Sequence, residues 1–193
     1  MSDMKNTSNT RDKLLTVAFE TFYTNGYSAT GLNTILDIAG VQKGSLYHFF
    51  SSKKELALAV INEKIAERFA ERYTAIVISE QPLHTLFTFI SNPANFDLKR
   101  GCPLGKLVQE LAGLDDDFRT ALAKAYISYE GYIEQALLKA MAIGELKQGD
   151  AKKLATFIVS VIGGAIQRAK LSDNEELFID SIELLKKYIS HLD

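Results

Sequence analysis

Proline occurs only three times in this chain, at Pro82, Pro93 and Pro103, and all three fall in its middle. Proline removes a backbone donor and clashes with the preceding helical turn, so its placement marks where helices stop and start. The long breaker-poor stretches on either side carry apolar residues at helical spacing. Leu14, Ala18 and Phe22 recur every fourth residue, as do Leu15 and Phe19, which sets them on one helix face. No internal repeat and no convincing strand alternation competes with this pattern. The expectation is an all-α chain of about nine helices.

The first helix has Asn9 or Thr10 as its cap, and Gly26 ends it in a left-handed turn. Two short helices follow, near 31–38 and 42–49, with Thr30 as N-cap of the first and Ala39-Gly40 as the turn between them. After Ser51-Ser52 a long helix begins, with a stripe of Ile61, Ile65, Phe69, Tyr73 and Val77. Pro82 and Pro103 each open a helix, the first-turn position that proline suits. Asp115-Asp116-Asp117 reads as the acidic start of another long helix, as the helix dipole favours. Two last helices are expected near 150–171 and 175–191.

Composition narrows the function classes. With 193 residues the chain can bury a real core. Its net charge is −2, so any grip on a polyanion must come from a local patch. Cys102 is the single cysteine and cannot form an intrachain disulfide, which fits a reducing compartment. The first ten residues lack the apolar segment of a signal peptide. The longest apolar run, Ala155 to Ile166, falls short of the ~20 residues of a membrane span. A cytoplasmic protein without a membrane partner is expected.

The stretch GVQKGSLYHFFSSKKEL, Gly40 to Leu56, has the marks of a DNA reader. Two short helices about a tight glycine turn make a helix-turn-helix, whose second helix can enter a major groove. Gln42, Lys43 and Ser45 then lie on its first exposed turn, where Gln and Lys can reach base edges or phosphate. Gly44 has no side chain and lets backbone approach DNA closely. Tyr47 and His48 would reach phosphates, while Phe49 and Phe50 anchor the short helix. Ser52 and Lys53 stand at the next helix N-terminus, where free N–H groups favour a phosphate. The same residues also suit partly buried aromatics beside a solvated helix start, and spacing alone leaves both open.

The segment GYSATGLNTILDIAGVQKGSLYHFFSSKKEL, Gly26 to Leu56, resembles the TetR family of bacterial transcriptional regulators. Two positions depart from the pattern: Gln42 stands where a small hydroxyl residue is frequent, and Leu36 where alanine often is. The resemblance implies a homodimer on operator DNA, with an N-terminal three-helix DNA module, 1–52, and a C-terminal effector-binding and dimerisation module, 53–193. It implies a transcriptional regulator, a repressor by the family's usual outcome. Carried over position by position, the DNA contacts are Thr30, Gln42, Lys43, Gly44, Ser45, Tyr47, His48 and Lys53. More weakly, GCPLGKLVQELAGLDDDFR and GGAIQRAKLS resemble the electrophile-responsive, NemR-like subgroup, which places Cys102 and Lys170 at a reactive switch.

Three expectations concern the C-terminal part. Val159, Ile162, Ile166, Ile182, Leu185 and Ile189 exceed what one helix face needs. With Gly163 and Gly164 permitting close approach, they would form a four-helix bundle across a two-fold axis, or else fill the chain's own core. Phe69, Phe87, Phe89, Tyr126, Tyr129 and Tyr132 would wall an effector pocket, although core packing accounts for most of them equally. Cys102, placed as a helix N-cap near Lys106 and Lys170, is either an acidified, modifiable thiol or a small inert packing residue.

Catalysis is not expected. His48, His84 and His191 lie on different helices without ligand spacing, and neither a phosphate loop nor a nucleophile elbow is present. No metal and no cofactor is expected. The remaining alternative is a helical ligand-binding or interaction protein without DNA binding.

Overall fold

The computed structural model describes residues 2–191, with side chains from Asn9 onward. Among these residues it has nine α-helices: α1 (Ser2–Asn25), α2 (Leu32–Ala39), α3 (Lys43–Phe49), α4 (53–78), α5 (Pro82–Ser91), α6 (Pro103–Leu111), α7 (Asp116–Ala142), α8 (Ala151–Ser172) and α9 (Glu176–Ser190). The all-helical expectation holds. Helix α1 begins at Ser2, so Asn9 and Thr10 lie inside it and do not cap it. No proline or glycine interrupts Ser2–Asn25, and polar residues alone do not stop a helix. Helix α4 carries a π turn at Val60–Ile65 between α-helical Lys53–Ala59 and Ala66–Ile78.

The chain forms two compact units. One holds residues up to Glu67 together with Lys106–Ala125, and the other holds Arg68–Gly105 with the rest from Tyr126. Helices α4, α6 and α7 each contribute residues to both units.

In the first unit α1 buries Leu14, Leu15, Ala18, Phe19 and Phe22 against Ile35, Leu36 and Ala39 of α2, Leu46 of α3 and Leu56 to Ile65 of α4. Gly26 has φ +92°, as its left-handed turn requires, and an added Cβ would lie 2.5 Å from Glu110 Oε1. Surface ion pairs frame this core. Arg11 donates to both Glu63 oxygens at 2.6 and 2.7 Å, and Lys54 donates to Asp115 and Asp117 at 2.5 and 2.7 Å. The aspartate cluster does start α7, where Asp115 Oδ1 accepts from Asp117 N at 2.8 Å.

In the second unit α8 and α9 pack together and α9 meets α5. Val159, Ile162 and Ile166 of α8 and Ile182, Leu185 and Ile189 of α9 are all buried within the single chain. Their expected place in a subunit interface is therefore corrected: the chain covers them itself. A surplus of apolar residues shows that a helix is buried on more than one side, not what buries it. Helix α8, at 22 residues, is also longer than its unbroken apolar run and passes for a membrane span by length and composition. Its nine buried residues, Leu154 and Ile158 among them, mark it as a core helix.

Lysine and glutamate side chains close the ends of other helices in this unit. Lys139 Nζ donates to Ile78 O at 3.1 Å at the end of α4, and Leu83 N at the start of α5 donates to Glu145 at 3.0 Å.

Candidate functional site

Helix α3 has seven residues, too few to persist alone in water. Leu46 and Phe50 hold it, both buried, with Phe50 N donating to Leu46 O at 2.9 Å. Arg11 places its guanidinium 5.3 Å from the Phe50 ring centroid. These anchors fix one side, and the other side is presented outward. Gln42, Lys43, Gly44, Tyr47 and His48 are exposed, and Ser45 is half-buried. Lys43 Nζ lies 5.9 Å from the Tyr47 ring centroid. A Cβ added at Gly44 would meet nothing within 4 Å, so its bareness answers no packing need of the chain itself. An outward cationic and amide-bearing helix face beside bare backbone is what a major-groove reader needs.

Ser52 caps α4 by accepting from Glu55 N at 3.1 Å, and Glu55 accepts from Ser51 N and Oγ at 2.6 Å each. Those bonds hold the Glu55 carboxyl below its usual range. Lys53 is half-buried, with Nζ 4.2 Å above the Tyr27 ring, and burial lowers its pKa. Thr30 is a correction. Its side chain is buried and its hydroxyl donates to Gly26 O at 2.7 Å, so it neither caps α2 nor reaches a ligand. It ties the end of α1 to the start of α2.

Several residues of the expected effector pocket pack on one another. The Phe69 and Tyr129 rings stack at 4.3 Å, and Tyr73 and Tyr129 join hydroxyls at 2.9 Å. Phe89 packs on Tyr73 at 5.2 Å and on Phe96 at 5.7 Å. These three predicted wall residues thus form one aromatic cluster with Tyr73, Phe96 and Phe178. Phe87 sits apart, beneath Lys186 in a surface groove with His84 and Asn92. Tyr126 and Tyr132 are half-buried on α7. Burial raises the pKa of Tyr73 to about 12 and that of Tyr129 well above 10.

Cys102 does stand at the start of α6, its Sγ accepting from Gly105 N at 3.5 Å. Burial nevertheless pushes the thiol up, against the lowering influence of those amides and of Arg68 and Arg72. The residue is half-buried. The net direction is away from an acidified thiolate, because desolvation outweighs the helix start. The lysines expected to help are engaged elsewhere. Lys106 Nζ donates to Tyr23 O and Thr24 O at 3.0 Å, and Lys170 Nζ to Arg100 O at 3.1 Å.

Sequence reading missed a groove of ≈ 460 Å³ lined by Arg68, Arg72, Phe96, Asp97, Lys99 and Glu175 among others. The four-residue spacing of the two arginines was its available signal. Among the described residues no group of His, Cys, Asp or Glu is placed to hold a metal ion.

Residues 14–60 match the model of bacterial regulatory proteins, tetR family, and residues 83–183 match that of the tetracyclin repressor-like C-terminal domain. An uncharacterized HTH-type transcriptional regulator in the lacX 3′ region of Lactococcus lactis subsp. lactis is 31% identical, over 95% of either chain. The crystal structure of regulatory protein TetR from Rhodobacter sphaeroides has a TM-score of 0.80 at 32% identity, covering 92% of this chain and 97% of that one. The reduced form of Escherichia coli NemR has a TM-score of 0.84 at 25% identity, covering 93% and 96%.

Proposed function

The chain belongs to the TetR family, DNA-binding transcriptional regulators and not enzymes, and from that membership we propose that it is a cytoplasmic repressor. It binds a two-fold symmetric operator as a homodimer and lets go when a small effector occupies its C-terminal part. The outward face of α3 carries this reading: Gln42, Lys43, Tyr47 and His48 are exposed around bare Gly44 while Leu46 and Phe50 take the burden of anchoring. Paired recognition helices related by a two-fold axis would meet half-sites about one helical turn of DNA apart. Selection of bound fragments from the source genome, followed by footprinting, tests it. A palindromic protected site is expected; protection without two-fold symmetry, or no selected fragment, overturns it.

The dimer surface is proposed on the outward side of α8 and α9. Phe157, Leu184 and Tyr188 are exposed there, with Phe157 and Tyr188 in ring contact at 5.4 Å across the two helices. Leu184 and Tyr188 are four residues apart and share a face. Gly163 and Gly164 have open space where a Cβ would stand, which lets a second helix approach. We place release with a non-covalent effector; burial, which raises the Cys102 thiol pKa, favours that route over modification of the cysteine. Such a ligand can free DNA only by binding the released state more tightly.

A further inference from the structure

The groove missed from sequence lies wholly within the second unit, between α4, the 93–99 segment and the approach to α9. Its volume of ≈ 460 Å³ falls in the range of small-molecule sites. Arg68 and Arg72 line it from one face of α4, a single turn apart, and Lys99 adds a third cation. Arg72 Nη1 donates to Asn95 O at 2.7 Å, which fixes that guanidinium against the loop. Of the two lining carboxylates, Asp97 is already answered by Arg100, through Nε at 2.6 Å and the backbone N–H at 2.8 Å. Glu175 is the other. Pro93, Leu98 and Phe96 form an apolar wall, and Phe96 is backed by Phe89 at 5.7 Å and Phe178 at 5.0 Å, so the wall is braced from the core side.

We propose that this groove binds a small organic monocarboxylate, its carboxylate on the Arg68–Arg72 pair and its hydrocarbon body along Phe96. Guanidinium groups match a carboxylate with two parallel N–H bonds, and a pair one turn apart gives the anion a choice of such partners. A phosphate dianion suits the site less, because Glu175 and Asp97 repel the added charge and the apolar wall has nothing to cover. The proposal deepens the regulator reading and rests on it for the consequence on DNA. Arg68 and Arg72 stand on α4, the helix that directly follows the recognition helix in the chain, so contacts made here bear on that helix.

The test uses hexanoate and benzoate, with hexanamide and benzamide as neutral counterparts, titrated calorimetrically into the full chain without DNA. The acids are expected to bind about tenfold or more tightly than their amides, the effect of about 1.4 kcal/mol. Arg68→Gln is expected to weaken acid binding by a similar factor, and Lys99→Gln to weaken it less, with the thermal midpoint of each variant confirming the fold. Equal binding of acid and amide, an unchanged affinity in Arg68→Gln, or no heat from either acid at millimolar concentration overturns the proposal. A second arm follows operator DNA by fluorescence anisotropy. Acid-driven release in the wild type and its loss in Arg68→Gln support the consequence. Acid binding without any operator binding leaves the groove standing and sinks the regulator reading, while operator binding indifferent to acids that do bind overturns the consequence for DNA.

Discussion

At the scale of single residues, Thr30 and Lys43 show what a motif transmits and what it hides. Lys43 is exposed on α3 and is expected to act on DNA directly. Lys43→Ala should weaken the operator complex and, where the lysine meets a phosphate, flatten the plot of log affinity against log salt by about 0.9. Lys53→Ala should flatten it similarly while also loosening the stack on Tyr27. Binding isotherms at several salt concentrations read both, and an unchanged slope in the double variant defeats the assignment. Thr30→Val should instead cost about 1–3 kcal/mol of folding stability by leaving a buried carbonyl without its donor, with DNA affinity per folded molecule preserved. Denaturant titration beside anisotropy separates the two effects. Sequence put both residues in one motif as DNA contacts. It gave no sign that Thr30 is buried, because burial depends on the end of α1 lying nine residues earlier in the chain and alongside in space.

At the scale of elements, the helices were legible because a 3.6-residue period is a local property. Gly26, Gly40, Pro82 and Pro103 punctuate them where expected, since each acts through its own backbone. What a helix face meets is not local, and the sequence pattern does not specify it. The aromatic residues of α4, α5 and α7, read as pocket walls, make ring contacts with one another. Their chemistry gives a pH dependence. The folded chain raises the pKa of Tyr73 to about 12 and of Tyr129 well above 10, so it favours both neutral phenols. A raised folded pKa contributes stability that is fully present below the unfolded value of about 10 and is lost as pH climbs toward the folded one. Denaturation midpoints should therefore hold from neutral pH to about 10 and fall beyond it. Replacing both tyrosines by phenylalanine should make that fall shallower, and an identical decline in the double variant would exclude the pair as its source.

At the scale of the whole molecule, neighbouring leucines on α9 should part company. Leu185 is buried in the chain, and Leu185→Ala should cost about 2–5 kcal/mol of stability. Leu184 is 66% exposed, so Leu184→Glu should leave the fold intact and shift the protein to monomers, with operator affinity falling as the dimer is lost. Sedimentation velocity with thermal melts distinguishes them; a dimeric Leu184→Glu rules out this surface. The π turn at Val60–Ile65 has a further consequence, in kinetic terms. Helices ordinarily lose order from their ends, where hydrogen bonds are fewest. In α4 the hydrogen-bond register changes within the run, at the π turn, with exposed Asn62 and Glu63 on its outer side. Deuterium should enter the backbone amides of 60–65 before those of the flanking α-helical turns, so that 53–78 melts from its middle outward, as two separately cooperative segments under one continuous stretch of sequence.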